Sequence, residues 1–143
     1  LKYSDDMTRL CLDTAQTDQG RQACIGKSAA ACMETPEGGS TAGMGGCLDR
    51  ELKFWDQMLN DNYAARMVVA KQADADAAAY QQKLPSQAEA LRAMQRAWIV
   101  YRDAACSYER TQWGGGTGGG PATLDCLMRL TGRQALSLAP RTY

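Results

Sequence analysis

The sequence predicts a small, almost wholly α-helical domain that is braced by disulfide bonds. The chain has 143 residues, enough for one hydrophobic core and too few for two independent ones. It contains two Ile and three Val but 23 Ala, and β-branched residues favour strands whereas Ala is the best helix former. Six Cys and three Trp can strengthen a core that is poor in branched aliphatic side chains. We therefore expect a single all-α domain over residues 1–143.

The charge balance and the absence of histidine argue against several functions. Sixteen Lys and Arg offset sixteen Asp and Glu, which removes the electrostatic term that nucleic-acid binding requires. No run of about 18 apolar residues is present, so we expect no transmembrane segment. Without His or a CxxC motif, the chain lacks Cys/His zinc ligands and His-activated nucleophiles. We predict no metal, no cofactor and no enzymatic activity.

The six cysteines are evenly arranged around turns. An even cysteine count in a small chain indicates disulfides, which persist in an oxidising compartment such as the periplasm or the exterior. In an antiparallel helical hairpin, residues equidistant from the turn lie opposite each other. The alternative for any single cysteine is a buried free thiol. We predict a periplasmic or secreted protein, its signal peptide removed, with the pairs Cys11–Cys24, Cys32–Cys47 and Cys106–Cys126.

The first part of the chain reads as a short helical hairpin. Ser4 or Asp5 can cap a first helix, and Asp18 can cap a second one over about residues 19–33. A Thr-Pro pair follows and ends the second helix. Residues 1–35 are therefore expected to form an N-terminal cysteine-rich helical hairpin.

Three longer helices follow the hairpin. A long central helix is predicted over about residues 44–80. Residues 86–89, Ser-Gln-Ala-Glu, have the form of a capping box and open a helix that reaches Arg110 or Gln112. A glycine-dense segment then leads into a last helix that ends near Leu138. That segment lacks the Lys and the preceding strand of a phosphate-binding loop, which favours a connector or an exposed contact loop.

Polar side chains interrupt the apolar faces of two of these helices. At 100° per residue, Asp56 lies in the apolar stripe of the long helix, and Arg102 lies in the stripe of the following helix. An unpaired buried charge is costly, so we predict that Asp56 pairs with Arg102. The cluster is either a satisfied network that sets helix register or a ligand site. Its members would be Asp56, Asn60, Tyr63, Gln95, Trp98 and Arg102.

Three stretches of the sequence together resemble a known family. The first is Gly43-Met44-Gly45-Gly46-Cys47, and the second is a D-x-x-L-N-x-x-Y pattern on Asp56, Leu59, Asn60 and Tyr63. The third is a Q-x-x-W-x-x-x-R-x-x-x-C helix on Gln95, Trp98, Arg102 and Cys106, followed by Cys126 and Thr131-Gly132-Arg133. This combination resembles the LprI-type lysozyme inhibitor family of secreted and periplasmic bacterial proteins over residues 43–138. The resemblance implies a small helical core with disulfides.

The resemblance also implies a function. A lysozyme-inhibitor-like protein would bind a lysozyme or a related cell-wall hydrolase through an exposed surface. One candidate is the loop with Trp113, Gly116 and Thr117, and the other is an acidic helix face with Asp49 and Glu51. The alternative is a periplasmic helical binding or envelope protein with a partner other than lysozyme.

Overall fold

A computed structural model describes residues 1–140 of the chain. This part contains six helices and no strand, which confirms the all-α class and the single long central helix. None of these helices combines the length and the apolar character needed to cross a bilayer. The helices are α1 (Asp6–Thr14), α2 (Asp18–Gln22), α3 (Lys27–Met33), α4 (Thr41–Ala79), α5 (Gln87–Thr111) and α6 (Gly119–Ser137).

The long helix α4 is the support on which the other elements pack. α6 makes the most extensive contact with α4 and also packs against α5, while α3 packs against α4 and carries α1. One core forms between these elements, with Trp55 and Met128 fully buried at its centre. Because the aliphatic residues are few, an indole and a thioether supply much of the buried apolar volume. The core residues are Ile25, Ala29, Leu48, Trp55, Leu59, Met128, Ala135 and Leu138.

Three disulfides connect the helices, and they are the pairs expected from the spacing. Cys11–Cys24 joins α1 to the end of α2 with Cα atoms 5.6 Å apart. Cys32–Cys47 joins α3 to α4 at 5.7 Å, and Cys106–Cys126 joins α5 to α6 at 5.5 Å. Each pair therefore links neighbouring elements across the turn between them.

The expected second helix over residues 19–33 is wrong, because the chain forms two short helices there. Gly26 lies between α2 and α3 with a φ of 98°, a left-handed conformation that favours glycine. Thr17 rather than Asp18 caps α2, since its Oγ1 accepts a hydrogen bond from the Gly20 amide at 2.9 Å. Cys24 consequently lies in the turn after α2, whereas Cys32 lies on α3.

The ends of the three longer helices follow local capping chemistry. α4 begins at Thr41, earlier than expected, because Ser40 Oγ accepts a hydrogen bond from the Gly43 amide at 3.0 Å. Ser86 caps α5 as predicted by accepting from the Glu89 amide at 3.1 Å. α6 begins at Gly119, within the glycine-dense segment, which places Pro121 in its first turn, where the missing N–H costs no hydrogen bond.

Candidate functional site

The predicted ion pair between Asp56 and Arg102 is wrong. Asp56 is exposed, and Arg102 instead places its Nε 3.0 Å from Asp103 Oδ1. The Arg102 guanidinium also donates to Thr131 Oγ1 at 3.4 Å and lies 5.0 Å from the Trp98 ring centroid. The physical reason is that α6 packs against both α4 and α5. The polar group on α5 therefore faces α6, and the buried stripe of α4 runs one residue away from Asp56.

The other members of the predicted cluster are also separated. Asn60 is exposed, whereas Tyr63 and Trp98 are half-buried and pack against the core. Gln95 accepts a hydrogen bond from Gln134 Nε2 at 3.0 Å, so its polar contact is with α6. Asp56 and Asn60 thus face solvent, the other four residues lie at helix interfaces, and the six do not converge on one site.

A buried carboxylate, that of Glu51, anchors α3. From the sequence, this residue was predicted to lie on an exposed helix face. Glu51 is fully buried, so the expectation that it contacts a partner is wrong. Its two oxygens accept hydrogen bonds from the amides of Gly26 at 2.6 Å and Ala29 at 2.8 Å, and from Trp55 Nε1 at 2.8 Å. A carboxylate at a helix N-terminus satisfies free amides and is favoured by the helix dipole. The feature of the sequence that could have indicated this burial is that Glu51 lies one helical turn before Trp55, on the same side of the helix.

Polar groups of the first eight residues lie near this carboxylate, and those of Thr8 attach α1 to α3. Burial, a 2.8 Å hydrogen bond to Asp5 Oδ1 and the charge of Glu51 raise the pKa of Tyr3 well above its ordinary value. Thr8 and Ser28 exchange two buried hydrogen bonds, each hydroxyl oxygen accepting from the other residue's amide at 3.0 Å. These contacts are structural, because every group is satisfied within the fold.

The acidic helix face is weaker than the sequence suggested. With Glu51 buried, Asp49 is the remaining predicted contact on that face, and its carboxylate lies 2.8 Å from Lys53 Nζ. Arg50 is exposed directly beside it. The mixed charges cancel at distances beyond about 10 Å at moderate salt, so this face cannot steer a basic partner.

The loop between α5 and α6 remains exposed and has a defined shape; we call residues 113–118 the Trp113 loop. Gly116 and Thr117 are exposed, and half of the Trp113 surface is accessible. The indole packs over Gly118, where an added Cβ would lie 2.6 Å from Trp113 Cε3. Trp113 O accepts from the Gly116 amide at 3.1 Å. Because Cys106–Cys126 joins the two flanking helices, the indole is presented from a covalently anchored base.

Trp113 also borders an open groove of about 670 Å³ that runs along α6. Ligand pockets have volumes of this order, so the groove can accommodate a small ligand or a few side chains of a partner. Asp125 and Arg129 pair at 3.0 Å beside it. Its other residues are mainly apolar, with two further charges, and include Met33, Met44, Leu48, Tyr101, Glu109, Pro121, Leu130 and Arg133.

The described residues thus define a class, a small all-helical protein with three disulfides and an anchored exposed loop beside an apolar groove. The family model for the lysozyme inhibitor LprI matches residues 32–138, and the chain belongs to this family. The match includes Cys32–Cys47 and Cys106–Cys126 and leaves α1 and α2 outside.

One relative is similar over nearly the whole chain. It is an uncharacterized 17.7 kDa protein in the puhA 5' region of Rhodobacter capsulatus. The two are 28% identical over 137 residues, which cover 93% of this chain and 83% of the relative. No solved structure matches the chain.

Proposed function

We propose that this protein is an extracytoplasmic inhibitor that binds a lysozyme or a related cell-wall hydrolase through the Trp113 loop. The observation that carries the proposal is the combination of LprI family membership with an exposed indole on a disulfide-anchored loop. Three disulfides favour an oxidising compartment, which is where cell-wall hydrolases act.

The loop carries groups that suit a glycosidase cleft. Such a cleft holds two carboxyl groups on either side of the scissile bond and binds sugar rings. Trp113 offers a large rigid surface with one N–H donor, as interface anchors commonly do.

A lysis assay tests this function directly. Purified, oxidised protein in excess is expected to slow the clearing of a peptidoglycan suspension by at least one lysozyme from a panel of types. The Trp113→Ala variant should lose at least about tenfold in inhibitory potency, because a central anchor is worth at least about 1.4 kcal/mol.

Tyr80→Ala is the matched control for this assay. Tyr80 is also an exposed aromatic residue, with 80% of its surface accessible, and it lies at the end of α4 away from the loop. Its removal should leave potency unchanged. Full lysis by every enzyme in the presence of folded, oxidised protein would refute the proposed inhibition.

The apolar groove along α6 supports a second candidate function, a periplasmic envelope protein whose partner is not a lysozyme. The groove has the volume of a small-molecule site and combines an apolar floor with a few charges. If inhibition is absent, Ala122→Trp at the groove should abolish binding of such a partner in a pull-down from periplasmic extract. An unchanged pull-down would exclude the groove as the binding surface.

A further inference from the structure

The side of α5 that points away from the rest of the protein carries small residues at heptad spacing; we call residues 89–111 on this side the outer face of α5. Side chains that α5 turns towards α4 and α6 include Leu91, Trp98 and Cys106. The opposite side is exposed throughout and repeats with steps of three and four residues. Its central positions are Ala90, Ala93, Ala97, Val100, Ala104 and Ser107. Such a pattern is typical of a helix that packs closely against another helix.

Large apolar side chains border these small residues along the edge of the outer face nearest α6, where Met94 Sδ accepts from Gln134 Nε2 at 3.2 Å and Tyr101 lines the groove. Met94, Tyr101 and Tyr108 are spaced seven residues apart, and 39%, 62% and 68% of their surfaces are exposed. Val100 is 70% exposed at the middle of the helix. A contiguous exposed apolar strip of this kind marks an interaction surface more often than an ordinary solvated face.

The charges along one edge of the outer face are complementary to themselves. Glu89, Arg96, Asp103 and Arg110 are also seven residues apart and alternate in sign. If two copies of α5 lie antiparallel about a two-fold axis between residues 99 and 100 of this edge, Glu89 meets the partner's Arg110. Arg96 then meets the partner's Asp103. Symmetry repeats both contacts, so the pairing brings together four opposite-charge pairs.

Nearly the same alignment, with its two-fold axis one residue earlier, places the central positions opposite one another. Ala97 packs against the partner's Val100, and Ala93 packs against the partner's Ala104. The alignment that suits these central pairs differs from the one that suits the charge pairs by no more than two residues. One antiparallel arrangement of the two helices therefore accommodates both sets of contacts. In a parallel pair, the charged edge would face Met94, Tyr101 and Tyr108 and would gain no ion pair. The charges therefore select the antiparallel orientation.

We infer that a second copy of this chain packs antiparallel against the outer face of α5 and forms a symmetric homodimer. The small residues allow the two helix axes to approach to about 8 Å, and the contact extends over about 33 Å of helix. The charges remain accessible for this contact. Glu89 and Arg96 have no ion-pair partner within residues 1–140, Asp103 uses one oxygen for Arg102, and Arg110 donates only to Thr123.

The homodimer would place its two Trp113 loops at opposite ends of the helix pair. Each loop follows the C-terminus of α5, and the two α5 helices run in opposite directions. Both loops stay accessible to separate partners. The inference rests on the outer face alone, so it stands whether or not the loop binds a lysozyme.

Sedimentation equilibrium of the oxidised full chain tests the homodimer, with a pair of charge variants that cannot pair with themselves. Arg96→Glu/Arg110→Glu makes the charged edge entirely acidic, and Glu89→Arg/Asp103→Arg makes it entirely basic. The wild type is expected to dimerise with a dissociation constant below about 0.1 mM. Each double variant should dimerise at least about tenfold more weakly, because four attractions become repulsions. Mixing the two variants should restore a dimer that contains one copy of each.

The four charged positions are exposed, and the contacts of Asp103 with Arg102 and of Arg110 with Thr123 lie at the surface, so the variants should retain the wild-type circular dichroism spectrum, which is recorded before association is compared. Ala97→Glu provides an independent disruption at the centre of the face and should also give a monomer. A wild type that remains monomeric at about 1 mM would overturn the inference. A dimer that persists in both double variants would overturn it as well, since another surface would then hold the copies together.

Discussion

Glu51 is the single residue whose charge is most tightly built into the fold. Its carboxylate accepts three hydrogen bonds while fully buried, and two of the donors are the Gly26 amide just before α3 and the Ala29 amide in its first turn. In Glu51→Gln, one amide nitrogen would face N–H donors and leave them unsatisfied. We expect a loss of about 2–4 kcal/mol in the free energy of unfolding, measured by urea denaturation of the oxidised protein. Glu34→Gln removes an exposed charge and should change stability by less than about 0.5 kcal/mol.

If the Glu51→Gln protein unfolds at the same urea concentration as the wild type, the three hydrogen bonds contribute nothing net. That result would assign the position of α3 to Cys32–Cys47 and to packing alone.

Alanine substitutions at two glycines in the Gly-Met-Gly-Gly-Cys stretch are expected to change stability in opposite directions. An added Cβ at Gly43 would overlap the carbonyl oxygen of Glu37, whereas at Gly45 its nearest neighbour would be Leu124 Cδ1 at 3.6 Å. Both lie inside α4, where alanine is intrinsically better than glycine by about 1 kcal/mol. Gly43→Ala should therefore destabilise by about 1–3 kcal/mol, and Gly45→Ala should be neutral or stabilising. Thermal unfolding monitored by circular dichroism distinguishes them, and equal effects would contradict the close approach at Gly43.

Single-residue roles in the candidate site were harder to predict from the sequence than the helices that carry them. Helical periodicity shows which residues share a face, but it does not say which helix covers that face. Asp56 and Arg102 were therefore paired across α4 and α5, although α6 packs against both helices. Glu51 was assigned to the surface because its residue type is rarely buried. Only the three donors that surround it explain its position.

Asp74 connects two elements by capping α5 from the side of α4. Its carboxylate accepts from Ser86 Oγ at 2.7 Å and from the amides of Gln87 at 2.7 Å and Ala88 at 3.1 Å. The Ser86 hydrogen bond and the two amide hydrogen bonds hold the pKa of Asp74 below its ordinary value. The folded state thus favours the carboxylate. Its contribution to stability is complete above the unfolded-state pKa and disappears as the pH falls through the folded-state pKa.

We expect Asp74→Asn to remove part of the acid sensitivity of the fold. The melting temperature of the wild type should fall as the pH drops below the ordinary pKa of an aspartate, and the fall should be smaller in the variant, which starts from a lower melting temperature. Asp76→Asn is the control, because within residues 1–140 the Asp76 carboxylate accepts from Gln72 of the same helix and from no helix N-terminus. If the melting temperatures of the wild type and Asp74→Asn fall equally as the pH is lowered, protonation of Asp74 is not linked to unfolding.

The extent of each helix was predictable wherever a capping residue or a proline stood at its end. Ser86, which follows Pro85, correctly predicted the start of α5, and Pro36 correctly predicted the end of α3. The break at Gly26 was missed because a glycine inside a helical pattern is locally compatible with a continuous helix. The left-handed turn at Gly26 is stabilised by Glu51, which is 25 residues away in the sequence, and no neighbouring residue indicates the turn.

At the scale of the molecule, we propose that the N-terminal helices and the core that matches the LprI family unfold as one domain. Ile25 packs so closely against α6 that an added Cβ on Gly132 would lie 2.9 Å from Ile25 Cδ1. Arg129 Nη1 also donates to the Ile25 carbonyl at 3.4 Å. Removing the hairpin would expose Glu51 and Trp55, both of which are fully buried. Residues 1–35 therefore complete the core and are more than an appended segment.

Removing the disulfide within the N-terminal helices tests whether the molecule is one cooperative unit. Cys11–Cys24 closes a loop of 13 residues, and the Cys11→Ala/Cys24→Ala variant should lose about 3 kcal/mol because its unfolded chain gains freedom. If the hairpin and the core are one unit, far-UV circular dichroism and tryptophan fluorescence should report a single coincident transition at a lower temperature than in the wild type. An early transition that removes only part of the helical signal, followed by a second at the wild-type temperature, would instead establish two independent units. The burial of Glu51 and Trp55 beneath residues 26–29 favours the first outcome, since opening the N-terminal helices exposes the indole and removes two of the three hydrogen bonds to the carboxylate.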